Sequence, residues 1–487
     1  MENTNKITNL FGGMLLGTAM LLMTSTAMAG NFNLTMDVEG ESVSGRKAVA
    51  LKGEDVNFSI DPDKNLDTVS WDFGTGATPS TASGYGPHAV SYGSAAEGGE
   101  SDVQISADRT DDEGNNCSTP MKKTASVVVP KLEVKEVSFS GDGNYRIKDI
   151  QGTFASESGQ EIQSPEWKDA GTPQAICYKK ESSPTLKVKF SIIPSLGSSS
   201  KSVKIKAEGK QGSTTLTYPE KDLTLTGSEV ELNELTTSSN LGNAIDNTDY
   251  KVTWQLIKAN DDTEDIKTTS NKLFVVLGQP SGVLSYIRLN AVTSSAKGSD
   301  DNQKAIRNLW LNDFAYVPYN IDSRPNNVWS ILDGVPGSCY HISQLFSQGV
   351  GLLGVNAQTS IVYVYVNTNG GVFESPLTGV YKKRNCEPNN NGHESDSIHH
   401  IFGNVNEKLN FKDGGGKINN YEACFVYNGG YYAPGTAIRN SMPAKIFSSN
   451  AAVMTAIAQE SLWAICDQQE VGLYICSQPG PYPEHNW

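Results

Sequence analysis

The sequence predicts a multidomain chain in which all-β sandwiches are followed by an α+β domain, and three observations carry that expectation. Short runs of alternating apolar and polar residues, broken by Gly, Ser and Pro, fill the first half of the chain. After Gly278 the texture changes and apolar residues recur at helical spacing. Only 19% of the 487 residues are charged, below the usual quarter or so, with Ser, Thr, Gly and Asn in their place. That composition fits exported sandwich modules better than cytosolic helical proteins.

The first element is an address. Lys6 precedes an apolar run from Phe11 to Met23, and small residues follow, ending in Ala27-Met28-Ala29. This is the layout of a secretory signal peptide over residues 1–29, with cleavage before Gly30. A run of about 13 residues is too short to span a bilayer. The mature chain would be 487 − 29 = 458 residues, exported to the periplasm or secreted, with no later membrane span. A net charge of −15 argues against nucleic acid or an anionic membrane surface as the main partner. Nothing in the pattern fixes an oligomeric state.

Residues 30–131 read as a first β-sandwich. Ala48–Leu51, Val56–Ile60 and Ala125–Val129 are its clearest strands. Asp61, Asp63, Asn65 and Asp67 alternate like a calcium loop. Leu66 occupies the position where such a loop needs Gly, so a solvated turn is the better reading. Residues 132–280 continue the β texture as a second sandwich region. In it Leu186–Ile192 and Val203–Ala207 alternate with period two and should each bury one face, and Lys251–Ile257 and Lys272–Leu277 close the region. No cluster of catalytic side chains occurs in that stretch, which reads as a structural spacer. Residues 281–487 hold helical spacing over Asn302–Phe314, Ile342–Leu353 and Asn450–Cys466. Strands are expected at Ser360–Val366, Tyr421–Tyr427 and around Tyr431-Tyr432.

Two segments carry family resemblances. Val69-Ser70-Trp71-Asp72-Phe73-Gly74-Thr75-Gly76, followed by His88-Ala89-Val90-Ser91-Tyr92, resembles a PKD-type immunoglobulin-like module, with Thr75 where that family usually has Asp. The resemblance implies a spacer or adhesion module. In the C-terminal region, a cysteine after the Gly337-Ser338 turn is placed to open a helix, whose positive end favours thiolate. The helix then ends near Leu353-Gly354-Val355-Asn356-Ala357 and feeds a strand at Ile361. This resembles the core of transglutaminase-like, papain-related proteins over about residues 302–435.

The second resemblance implies a Cys339 nucleophile, a His base on the next strand and an Asp on the strand after it. Aligning the hairpin at 418–435 on its aromatic pair and Pro434 puts Glu422 at the His position and Ala433 at the Asp position. A register shifted by two puts Asn420 at the His position. Neither register supplies an imidazole, and a carboxylate beside a thiol disfavours thiolate. His341 lies two residues past Cys339, about 200° round a helix. His399 and His400 are the remaining sequence-plausible bases. A metal reading of these with His393 lacks a supporting carboxylate pattern, so neither metal nor cofactor is expected.

The resemblance therefore implies a degenerate, non-catalytic domain acting in extracellular binding or structure. Trp329, Tyr340, Asn420, Glu422 and Tyr432 would line a groove for a protein or peptide ligand outside the cytoplasm. An active thiol peptidase or acyl-transferase using Cys339 with His399 or His400 is the first alternative, and an adhesin or structural protein the second. The chain has seven cysteines. The pairs Cys466–Cys476, Cys386–Cys424 and Cys117–Cys177 would leave Cys339 as the odd thiol, although spacing alone does not fix connectivity.

Overall fold

The computed structural model describes residues 32–39, 41–43, 45–61, 66–109, 119–258, 261–318, 323–355, 360–365, 373–375, 379–381, 421–434, 446–449, 464–466 and 469–471. The expected signal peptide lies outside them. The described chain is predominantly β-sheet and falls into two compact units, Met1–Val128 and Val129–Trp487.

The first unit is built from two five-stranded sheets. One runs Glu41–Ser42, Asn33–Val38, Asp55–Asp61, His88–Tyr92, Ala77–Thr78. The other runs Lys47–Val49, Met121–Val129, Gly99–Arg109, Leu66–Asp72, Thr81–Ser83. Period-two patterning explains the burial. Val56, Phe58 and Ile60 turn inward on one strand while their neighbours face out. The Trp71–Gly74 segment is a packing device. Trp71 and Phe73 are buried and stack at 5.6 Å, with Phe58 and His88 against them. Trp71 Nε1 donates to the Gly84 carbonyl at 2.7 Å, and the Tyr92 hydroxyl donates to the Phe73 carbonyl at 3.1 Å. Gly74 turns at φ +80, and a Cβ there would lie 2.5 Å from the Asp102 carbonyl oxygen. Only glycine fits.

The second unit opens with a four-stranded sheet ordered Trp167–Lys168, Lys131–Ser140, Thr185–Ile193, Glu229–Thr236. Beside it is a six-stranded sheet ordered Asn144–Tyr145, Ile176–Lys179, Thr263–Val276, Asp246–Ile257, Ser200–Gln211, Thr214–Thr226. Cys177 sits opposite Phe274 in the ladder and is buried in an apolar cluster with Ile147, Ala175 and Val276. It is a free thiol whose burial pushes its pKa up. The expected Cys117–Cys177 bridge is therefore not made, because Cys177 is a core-filling residue.

Three helices follow: α1 (Tyr286–Ser295), α2 (Asn302–Asn312) and α3 (Cys339–Leu352). Sequence periodicity gave no warning of α1. It starts at Ser285, whose hydroxyl accepts the Arg288 N–H, as Asp301 accepts the Lys304 N–H at the start of α2. A four-stranded antiparallel sheet comes next, ordered Ser360–Tyr365, Tyr421–Tyr427, Gly430–Tyr432, Ile446–Phe447. Asn428 and Gly429, both at positive φ, make its hairpin turn. One apolar cluster joins Ile245 and Leu277 of the sandwich to Val292, Leu309, Trp310, Phe346 and Leu353 of the helical layer. Of the helix expected over Asn450–Cys466, residues 464–466 are strand, paired with Gln469–Val471; the rest lies outside the described residues.

Candidate functional site

Cys339 is the first residue of α3, and Ser338 is the helix N-cap. The approach is set by the short helix Val328–Ile331 and the turn after it, where Asp333, Gly334 and Val335 donate to the carbonyls of Ser330, Ile331 and Ser330. Gly337 then donates to the Pro318 carbonyl at 3.0 Å, and a Cβ at Gly337 would meet Ile331 Cδ1 at 2.4 Å. The glycine two residues before the cysteine thus lets Ile331 and Ile342 pack closely on the turn.

The Ser338 hydroxyl does not cap a backbone N–H. It shares a 2.6 Å hydrogen bond with His341 Nδ1, three residues on. This is the spacing of a capping box, in which the third helical residue reaches back to the N-cap. His341 is half-buried, and desolvation, followed by the nearby Arg324 charge, holds its pKa below the ordinary value. The expectation that His341 points away from Cys339 is joined here by a positive use for it, at Ser338.

At its other end α3 is stitched to the sandwich. Leu277 donates to the Leu353 carbonyl at 2.9 Å and Ser281 to the Gly351 carbonyl at 3.0 Å. Gly354 has φ +73, and a Cβ there would lie 2.2 Å from the Gly278 carbonyl oxygen. The Leu-Gly-Val sequence at the helix end is accounted for by this backbone contact. Across its face α3 packs on strand Tyr421–Tyr427. Ser343 Oγ donates to the Ala423 carbonyl at 3.1 Å, and Phe346 packs edge-on against Phe425 at 4.8 Å.

Within this frame Cys339 is fully buried, as are Cys424 and Ala433. Cys424 is a thiol buried within the sheet, so the expected Cys386–Cys424 bridge is absent. Cys466 has no described side chain and Cys476 lies outside the described residues. Trp329 and Tyr432 do not line a groove. Trp329 is 2% exposed beneath the Arg288 guanidinium, 4.8 Å from its ring centre. Tyr432 is 3% exposed among Trp310, Phe346 and Phe425, and burial pushes its pKa up to about 12. Both are core residues: Tyr432 fills the aromatic layer between α2, α3 and the sheet, and Trp329 belongs to the same apolar cluster. Tyr340 is half-buried at the surface of α3, accepting from Gln344 Nε2 at 2.7 Å. Glu422 lies on its strand opposite Val364, with no described side chain. Asn420, His399 and His400 fall outside the described residues.

A helix end favours thiolate, but a sulfur sealed from water offers no approach to a substrate. An open cleft of about 470 Å³ lies elsewhere, between Lys180, Leu277, Asp300 and Tyr427 at the start of α2. Among the described residues no three His, Cys, Asp or Glu side chains converge to hold a metal ion, and no helix is long and apolar enough to cross a membrane.

Sequence reasoning missed a second polar constellation, made by Arg288, Asn327 and Asp333. These residues come from α1 and from the loop before α3, and each contacts the backbone of residues 154–156. The one local signal was Asp333-Gly334, which reads as an ordinary turn.

No protein-family model and no curated protein matches the chain. Among solved structures, fibronectin(III)-like modules of Clostridium thermocellum CbhA are 10% identical over 49% of this chain and 93% of theirs, with a TM-score of 0.17. A Ca2+-stabilised adhesin with which an Antarctic bacterium binds ice is 11% identical over 51% of this chain and 50% of its own, with a TM-score of 0.21. Superpositions this loose carry nothing about activity.

Proposed function

We propose that the chain is an exported protein of sandwich modules with a binding or architectural role outside the cytoplasm. In this reading the C-terminal helix-and-sheet segment is transglutaminase-like but has lost its catalysis. The observation that carries it is the burial of Cys339. The sulfur stands at the head of a helix, where a nucleophile would stand, yet its residue is 0% exposed. Nucleophilic catalysis needs a thiolate that both a base and a substrate can reach. Here the position at the head of α3 is closed off from solvent. Ala433 at the Asp position gives nothing to orient a base. The signal-peptide layout of residues 1–29 supports export, and the sandwich architecture supports a spacer or binding role.

The test is alkylation of the native protein with iodoacetamide near neutral pH, followed at Cys339 by mass spectrometry. Labelling far slower than that of an exposed thiol, unchanged by His399→Ala or His400→Ala, is expected. Rapid labelling that either replacement slows would establish an active thiol enzyme instead.

A further inference from the structure

The second unit contains a peptide held by side chains. Between strands Asn144–Tyr145 and Trp167–Lys168 the chain makes an excursion, fastened at its base by Lys148, which bridges to Glu161 and to Ser285. Its tip, residues 153–157, lies on α1 and the loop before α3. Asp333 accepts two consecutive amides, Phe154 N–H at 3.0 Å on Oδ1 and Ala155 N–H at 3.1 Å on Oδ2. Arg288 Nε donates to the Phe154 carbonyl at 2.9 Å, and its Nη2 to the Ser156 carbonyl at 3.3 Å. Asn327 Nδ2 donates to the Ala155 carbonyl at 2.9 Å. Five backbone groups over three residues are therefore read by three side chains. The side chains of the tip add two anchors. Phe154 packs against the apolar core, and the Glu157 carboxylate lies 3.7 Å from Arg288 and 3.4 Å from Asn327.

This arrangement has the chemistry of peptide recognition. Backbone groups in a fold are ordinarily satisfied by the ladders and turns of their own element. Here a planar fork, a carboxylate and a carboxamide from separate elements converge on one turn, closed by the Ser156 N–H donating to the Thr153 carbonyl at 3.3 Å. Arg288 lies over the Trp329 ring, 4.8 Å from its centre, a contact that orients the fork and involves no residue of the tip. The resident segment is weakly tied otherwise. Gln151, Gly152, Thr153, Glu157 and Ser158 are exposed, and Gly152 turns at φ +100 with open space around it. Such a tip can leave by local opening without unfolding the sandwich.

We propose that Arg288, Asn327 and Asp333 form a peptide-binding site occupied in cis by residues 154–157. Its ligand class is a peptide that turns at Phe and carries two small residues and then an acidic residue. The strap is the built-in competitor, and a partner peptide of the same pattern takes the site when the strap opens. The site is separate from Cys339 and stands whether or not that thiol reacts.

The probe is a fluorescent peptide of residues 151–159, titrated into the full chain and into a full-length variant carrying Phe154→Gly and Glu157→Gly. Saturable binding to the variant, at least tenfold tighter than to the unaltered chain and lost on adding Asp333→Ala, is expected. A variant that keeps its circular dichroism and cooperative melt but binds no tighter overturns the proposal, as does binding that Asp333→Ala leaves unchanged. Should the variant not fold, hydrogen exchange in the unaltered chain decides. The Phe154 and Ala155 amides should exchange at least a hundredfold faster than those of strand Thr185–Ile193, and equal protection overturns the proposal.

Discussion

His341 shows how much one local hydrogen bond can say. Its ring is half-buried at the positive end of α3, where Arg324 adds to the cost of protonation. The folded pKa is therefore below the unfolded value near 6.5. Between the two values the unfolded chain binds more protons, so stability falls as pH is lowered through 6.5 and is fully present above it. The melting temperature should drop between pH 7.5 and pH 5.5, and His341→Gln should flatten that part of the profile. An unchanged slope in the variant would remove His341 from the account. Gly354 makes a sharper case. With φ +73 and the Gly278 carbonyl oxygen in the way of any Cβ, Gly354→Ala adds left-handed strain to a backbone clash. We expect a loss of about 2–4 kcal/mol, seen as a lower denaturant midpoint at constant m.

Elements differed in how plainly the sequence announced them. Val56-Asn57-Phe58-Ser59-Ile60 and Leu186–Ile192 alternate strictly, each buries one face, and both were legible because period two leaves little else for such runs to do. α3 was legible from its apolar spacing, and its start at Cys339 from the glycine turn before it. α1 was hidden. Tyr286–Ser295 carries β-branched and hydroxyl residues with no clear apolar stripe, and it is held by burial of Leu289 and Val292 and by the Ser285 cap. Tertiary packing overrode its propensity. The clasp around residues 154–156 was hidden for a different reason. Its members are more than 130 positions away in sequence, and a pattern read along the chain has no means of pairing them. Trp329 and Tyr432 misled in the opposite direction, since an aromatic near a nucleophile position suits a groove or a core equally well. Within the C-terminal sheet, the Asn428-Gly429 turn should be sensitive. Gly429→Ala places a side chain at φ +75 and should cost about 1–2 kcal/mol, measured by thermal melting.

The molecule as a whole couples its second sandwich to its helices. Ile245 and Leu277 sit in the same cluster as Leu309, Trp310 and Leu353, and the Leu277 N–H is satisfied by α3. A chain ending at residue 280 would expose that face. It should bind the dye ANS and lose its cooperative transition, whereas melting as sharp as that of the full chain would contradict a shared core. The same coupling bears on Cys339, because a residue buried at the head of α3 should become reachable only when the packing around that helix comes apart. The most direct measurement is therefore native-state alkylation of Cys339 across a denaturant series, compared with global unfolding of the same protein. The opening free energy and its denaturant dependence should match those of global unfolding within about 1 kcal/mol. Labelling without denaturant at the rate of an open thiol, or through an opening far below the global value, would show that Cys339 is served by an accessible site and not by a core.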